Sequence, residues 1–264
     1  MIASLFLGIR KYIKKFKEEL KCLLRNMYVV IYCVSRIWII QDKRSGVKNL
    51  DVKSKGRFIV FEGIDGSGKS TQIKKISKRL EAMGNNIYST FEPTDGPIGS
   101  LIRQMLSGKV ATDQRTIASL FAADRTDHLV NHDNGIQPKV KQGEIVLCDR
   151  YYFSSYAYHA QYIDMKWVIH ANSLNADILR PDATIFIDVD PDLCFERIKS
   201  SRSNFEMYEK IDIMKKVRAN YFQAFDTLKH LEKIIVIDGN ATMDKVEDKI
   251  FKEVEKIIKG SLKT

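Results

Sequence analysis

The chain has little of what cross-linked or membrane-spanning proteins are built from. Its four cysteines, Cys22, Cys33, Cys148 and Cys194, are widely spaced and form no C-x-x-C pair. That excludes paired-cysteine chemistry and points to buried thiols in a reducing cytosol. His128 and His132 stand four apart, but no glutamate follows His128, so no H-E-x-x-H zinc motif exists. Both are expected at the surface or at a helix cap, and no protein-held metal cluster is expected. No apolar run is long enough to cross a bilayer. Residues 27–40 would span about 21 Å as a helix against a hydrocarbon core of ~30 Å, and Arg36 interrupts them. No convincing small-residue cleavage site follows, which argues against a secretory signal. There is no internal repeat.

Excess charge is also absent from most of the chain. The formal net charge is +10, yet residues 1–55 hold 13 Lys/Arg against 4 Asp/Glu, while residues 56–264 hold 30 against 29. The near-neutral globular part excludes a nucleic-acid surface there. Residues 2–25 alternate Leu5, Phe6, Ile9, Ile13, Phe16 and Leu20 with Lys and Arg, the pattern of a basic amphipathic helix. It is either a membrane-surface segment or an inert appendage, and residues 41–55 read as a polar linker. Two parts follow: an extension and linker over 1–55, and a domain over 56–264.

What is present is a strand, a glycine loop and a helix in immediate succession. Phe58 to Phe61 reads as a strand buried on both faces. Gly63-Ile64-Asp65-Gly66-Ser67-Gly68-Lys69-Ser70-Thr71 satisfies G-x-x-x-x-G-K-S/T. Ile73, Ile76 and Leu80 then form one stripe of an amphipathic helix. Glycines let successive N–H groups turn inward on phosphate oxygens, and the helix N-terminus adds its own amides. Lys69, expected to face solvent, suits the β- and γ-phosphates of ATP. The Ser70 hydroxyl suits Mg²⁺.

Further strands are expected over 86–91, 144–148, 183–189 and 233–237. Helices are expected over 98–106, 112–130, 152–161, 166–179, 191–200, 208–230 and 241–258. The alternation predicts an α/β fold: a five-stranded parallel sheet with helices on both faces and ligands at the strands' carboxyl ends. Gly63, Glu92 and Asp149 fall there. Asp149 can hold the metal, and Arg150 beside it can grip a phosphate. Phe121 and Arg125 share a helix face, so ring and guanidinium can meet a base together, unless they are merely a core Phe beside a surface Arg. Lys199, Arg202 and Arg197 form a cation-bearing segment suited to a lid.

Together these residues resemble the thymidylate kinase family from about Arg57 to Lys259. The likeness rests on Phe61 to Gln72, Glu92-Pro93, Phe121 to Arg125, Asp149-Arg150-Tyr151 with Ser154, Ser155 and Tyr158, and Pro181-Asp182 before Asp188-Val189-Asp190. The resemblance implies phosphoryl transfer from ATP with Mg²⁺ to dTMP in dTTP biosynthesis, in the cytoplasm, by a homodimer. It implies that Asp65 touches the sugar 3′-OH and the metal shell. Phe121 would stack on thymine, Arg125 would donate to it, and Ser155 would face it. Arg103 and Arg150 would hold the acceptor phosphate, with Glu92 in the same dTMP site, and Tyr158 would exclude a 2′-OH. Arg202 would be the lid arginine, catalytic with Lys69, Asp65 and Arg150. Three features depart from the family: His159 where many members have Gln, Met207 where an Arg is common, and residues 1–55. The alternatives are another P-loop nucleotide or nucleoside kinase, or a membrane-attached nucleotide-binding protein with a degenerate kinase domain.

Overall fold

A computed structural model describes residues 56–201, 208 and 210–260 of the chain. The expected extension and linker over 1–55, Arg202 and Met207 lie outside the described residues. Five strands form one parallel sheet in the order β2-β3-β1-β4-β5: β1 (Arg57–Glu62), β2 (Ile87–Phe91), β3 (Ile145–Asp149), β4 (Ala183–Asp188) and β5 (Ile234–Asp238). The expected architecture is the one observed. β1 takes the centre because Phe58, Ile59, Val60 and Phe61 are apolar on both faces, and all four are buried.

The helices are α1 (Lys69–Glu81), α2 (Pro97–Leu106), α3 (Gln114–Val130), α4 (Ile136–Lys141), α5 (Tyr152–His159), α6 (Met165–Ala171), α7 (Ser173–Ile178), α8 (Pro191–Ser201), α9 (Ile211–Leu228) and α10 (Met243–Ile258). Helices α1 and α10 pack as a pair, tied by Lys75 to Asp244 at 2.7 Å and to Glu247 at 2.8 Å. On α5 and α9, Phe153 meets Phe225 edge-on at 5.1 Å, and Asn220 donates to the Ala157 carbonyl at 2.9 Å.

Three local expectations are corrected. The single helix over 166–179 is two, because Asn172 turns its side chain back to the Val168 carbonyl at 2.9 Å and its Oδ1 toward Arg125. Asp113 is the N-cap of α3 rather than part of its first turn, accepting from the Arg115 amide at 2.8 Å. Helix α4 was not expected: six residues with Pro138 inside carry too short a periodic signal.

The strand order places a switch point between β1 and β3. The chain leaves β1 toward β2 on one side of the sheet and leaves β3 toward β4 on the other. A crevice opens between their carboxyl ends, where Phe61 pairs with Asp149.

Candidate active site

The loop after β1 turns at Gly63 and Gly66, with φ of +153° and +79°. A Cβ at Gly63 would lie 2.9 Å from the Ile187 carbonyl, and one at Gly66 would lie 2.6 Å from the Cys194 carbonyl. Only glycine allows both the turn and this approach to β4 and α8. The Ile64 side chain belongs to the core, so only its backbone serves the loop. Lys69 corrects an expectation: it is buried, not solvent-facing, and its Nζ donates to the Gly63 carbonyl at 3.0 Å and the Ile64 carbonyl at 3.1 Å. Burial and the Arg150 charge lower its pKa, against the pull of Asp149, Asp65 and Glu62.

Ser70 and Asp149, the two residues given a metal role, lie together, with the Ser70 hydroxyl donating to Asp149 Oδ2 at 2.5 Å. The other oxygen, Asp149 Oδ1, is buried and has no hydrogen-bond partner among the described residues. A hydroxyl, a carboxylate and an orphaned oxygen are the hard donor set that suits Mg²⁺. These residues line a cleft of about 680 Å³ with Lys69, Thr71 and Arg197. Arg197 on α8 reaches the Gly66 carbonyl at 3.4 Å, so of the three lid candidates it is seen at the phosphate loop.

A second cavity, of about 120 Å³, lies beside the first and is lined by Phe121, Ser155, Tyr158, His159 and Tyr208. Asp65 and Arg150 line both. Arg150 has φ +72°, a left-handed conformation uncommon outside glycine. Its Nη2 donates to Asp65 and, at 3.3 Å, to the Tyr158 hydroxyl, which itself donates to Asp65 Oδ2 at 2.9 Å. Burial works against the Arg150 charge, but Asp65 and its other neighbours more than offset it, and the pKa is raised well above its usual value.

Three expected dTMP ligands sit elsewhere or are already engaged. Arg103 on α2 lines neither cavity. It donates to the Pro93 carbonyl at 2.9 Å and lies 3.2 Å from Asp95. Arg125 is 1% exposed and lines neither cavity. Its Nε donates to Glu92 Oε2 at 2.8 Å, its Nη2 lies 2.7 Å from the same oxygen, and its Nη1 donates to Ser155 Oγ at 3.1 Å. Glu92, buried and at the edge of the larger cleft, therefore holds Arg125. The pairing of core Phe with surface Arg is inverted, since Phe121 is the partly exposed member. His128 is likewise not at the surface. It is buried between Glu92, 3.1 Å from Nδ1, and Thr90, 2.7 Å from Nε2.

Glu62 lies within the Phe61 to Gln72 likeness but carries no role expected from sequence. Wholly buried at the end of β1, it accepts four hydrogen bonds from Tyr151, Ser154 and Tyr221. Burial raises its pKa, and the Ser154 hydroxyl, Arg150 and Tyr221 pull it back. A charged residue closing an apolar strand was the available signal.

His159 is buried, with its ring 5.1 Å from that of Phe121. Burial, then the Arg125 charge, pushes its pKa down from 6.5 to about 3. The unfolded chain then takes up a proton that the folded one refuses. The stabilising contribution is full above pH ~6.5 and falls by about 1.4 kcal/mol per unit as pH drops toward 3. The difference in unfolding free energy between wild type and His159→Gln should show this slope in denaturant titrations between pH 6 and pH 4. Parallel pH profiles would contradict it.

The family model described as thymidylate kinase matches residues 61–250. The probable thymidylate kinase of Pyrococcus horikoshii is 39% identical over 175 residues, 64% of this chain and 82% of its own length. That of Staphylothermus marinus is 36% identical over 209 residues, 78% of this chain and 96% of its own. The thymidylate kinase of Caldicellulosiruptor saccharolyticus is 34% identical over 209 residues, 78% of this chain and 98% of its own.

Proposed function

The chain belongs to the thymidylate kinase family, and we propose that its two cavities are the donor and acceptor halves of one phosphoryl-transfer site. The chain transfers a phosphoryl group from ATP to dTMP, giving ADP and dTDP. Neither alternative, a different P-loop kinase or a degenerate nucleotide-binding scaffold, is favoured. The observation that carries the proposal is the Asp65–Arg150 pair, which faces both cavities.

In this reading Gly63 to Thr71 wraps the phosphates of ATP, and Lys69 leaves the Gly63 and Ile64 carbonyls for the transferring phosphoryl. Its support is position, since Nζ already sits inside the loop. Arg150 holds the acceptor phosphate, Asp65 the sugar hydroxyl, and Phe121 stacks on thymine with Ser155 and Tyr158 around it. Glu92 and Arg125 act as the wall behind the base rather than as its first contacts. Arg103 reaches the acceptor phosphate only by releasing Pro93 and Asp95. Arg197, with Arg202, meets charge developing on the phosphoryl. Ser70 and Asp149 would hold Mg²⁺, which when bound neutralises phosphate charge. Catalysis is then positioning plus electrostatics.

Residues 56–264 are proposed as the catalytic domain and 1–55 as an extension not needed for transfer. Its contact with a membrane surface, not favoured, and a homodimer are further proposals. Among the described residues no helix is long and apolar enough to cross a membrane. A cytoplasmic site of action agrees with the free thiols of Cys148 and Cys194. Anion-exchange chromatography of a reaction with ATP, Mg²⁺ and dTMP should give one dTDP per ADP. ADP formed without dTDP would reject the acceptor assignment.

A further inference from the structure

The buried carboxylate of Glu62 is outside the machinery described above, yet it touches the segment that carries most of it. Glu62 Oε1 accepts from the backbone amides of Tyr151 at 2.9 Å and Ser154 at 3.0 Å. Tyr151 is the N-cap residue of α5 and has no side-chain cap bond of its own, so Glu62 caps the helix from the end of β1. Helix α5 bears Ser155, Tyr158 and His159, all of which line the smaller cavity.

The second oxygen matters more for function. Glu62 Oε2 accepts from the Ser154 hydroxyl at 2.6 Å and the Tyr221 hydroxyl at 2.8 Å. With its proton directed at Glu62, Ser154 Oγ is left as an acceptor, and the Tyr221 hydroxyl lies 2.9 Å from it as well. The Ser154 lone pairs then face Arg150 Nη1, which donates to them at 3.1 Å. The guanidinium is therefore gripped from two sides: by Ser154 on Nη1, and by Asp65 and Tyr158 on Nη2. The backbone of Arg150, strained at positive φ, is pinned in step. Its amide donates to the Phe61 carbonyl at 2.9 Å, Cys148 Sγ donates to its carbonyl at 3.1 Å, and the next amide belongs to Glu62.

We infer that Glu62 is a positioning residue for the acceptor phosphate, orienting Arg150 through the Ser154 hydroxyl and the N-terminus of α5. Glu62 directly precedes Gly63, so one residue joins the phosphate loop to the acceptor arginine. The inference rests on the reading of Arg150 as the ligand of the dTMP phosphate. Substituting Glu62 should loosen dTMP far more than ATP.

The test compares Glu62→Gln, Ser154→Ala, their double variant, Tyr221→Phe and Arg150→Ala by steady-state kinetics in both substrates. Glu62→Gln and Ser154→Ala should each raise the KM for dTMP at least tenfold, with the KM for ATP within twofold. The double variant should be no worse than the poorer single one, because both act through one chain of contacts. Tyr221→Phe removes a hydroxyl that donates to Glu62 and lies 2.9 Å from Ser154 Oγ but does not touch Arg150, so it should lower the thermal midpoint and raise the KM for dTMP clearly less than Glu62→Gln or Ser154→Ala does. An unchanged KM in Ser154→Ala, additive losses in the double variant, or a Tyr221→Phe effect equal to that of Glu62→Gln would overturn the inference. If Glu62→Gln does not fold, Ser154→Ala and Tyr221→Phe still separate orientation of Arg150 from packing. Arg150→Ala tells the two failures apart. If it leaves the KM for dTMP unchanged, the reading of the acceptor site fails; if it raises that KM while Ser154→Ala does not, only the role of Glu62 fails.

Discussion

Lys69→Ala is expected to lower kcat by about a thousandfold or more, on the order of 4 kcal/mol in barrier, while the domain stays folded. The lysine is buried inside the loop, and among the described residues its Nζ donates to the carbonyls of Gly63 and Ile64. Burying its charge disfavours the ammonium, so removal should move stability by no more than about 1 kcal/mol. Catalysis is different, because a preorganised positive charge in a water-poor loop acts on phosphate oxygens far more strongly than in bulk solvent. Lys69→Arg should not restore the rate, since a planar guanidinium cannot occupy the place of a compact ammonium between two carbonyls. Coupled ADP release with a thermal melt on the same sample checks both halves. Activity within about tenfold of wild type, roughly 1.4 kcal/mol, would remove the phosphate-loop assignment.

Arg125→Met should have the largest effect on stability, a loss of about 3–5 kcal/mol, because it strands the buried Glu92 carboxylate. Glu92 and Arg125 have side chains 2% and 1% exposed, with nitrogen and oxygen 2.7 Å apart. Burial alone would lower the arginine's pKa, and the Glu92 charge, with Tyr151, the Glu92 hydrogen bond and Tyr156, more than offsets it. Ser155 and Asn172 would also lose their guanidinium partner. At roughly 2–4 °C per kcal/mol for a domain of this size, the melting midpoint should fall by about 6–20 °C. Adding Glu92→Gln should recover part of the loss by discharging the stranded acid. A loss below about 1 kcal/mol would show that the pair contributes little, and that Arg125 is free to serve the base directly.

The sheet and phosphate loop were legible because their signals are local. Phe58 to Phe61 is a short apolar run before a glycine pattern, and the Ser70–Asp149 meeting follows from two strand ends in one parallel sheet. The pairing inside the acceptor half was not legible. Spacing puts Phe121 and Arg125 on one face of α3, but which of the two turns inward depends on Glu92, 33 residues away in sequence. Arg103 reads as a phosphate ligand by type, yet in the fold it steadies the loop at Pro93 and Asp95. The role of Glu62 was not legible because four donors arriving from the N-cap and first turn of α5 and from α9 leave no periodicity in sequence. The break at Asn172 is likewise a tertiary effect, set by its contact with Arg125.

The most direct test of the central claim is the ratio of kcat/KM across acceptors at saturating ATP and Mg²⁺, using dTMP, ribothymidine monophosphate, dUMP, CMP and AMP. The smaller cavity is walled by Phe121, Ser155 and Tyr158, and Asp65 and Arg150 line both it and the larger cleft. Tyr158 is held by Asp65 and Arg150, so it cannot swing away to admit a 2′-hydroxyl without breaking both contacts. The account predicts dTMP first, with the ribo analogue, CMP and AMP each poorer by at least a hundredfold, about 2.7 kcal/mol. Equal use of ribo- and deoxyribothymidine monophosphate, or a preference for AMP or CMP, would contradict it.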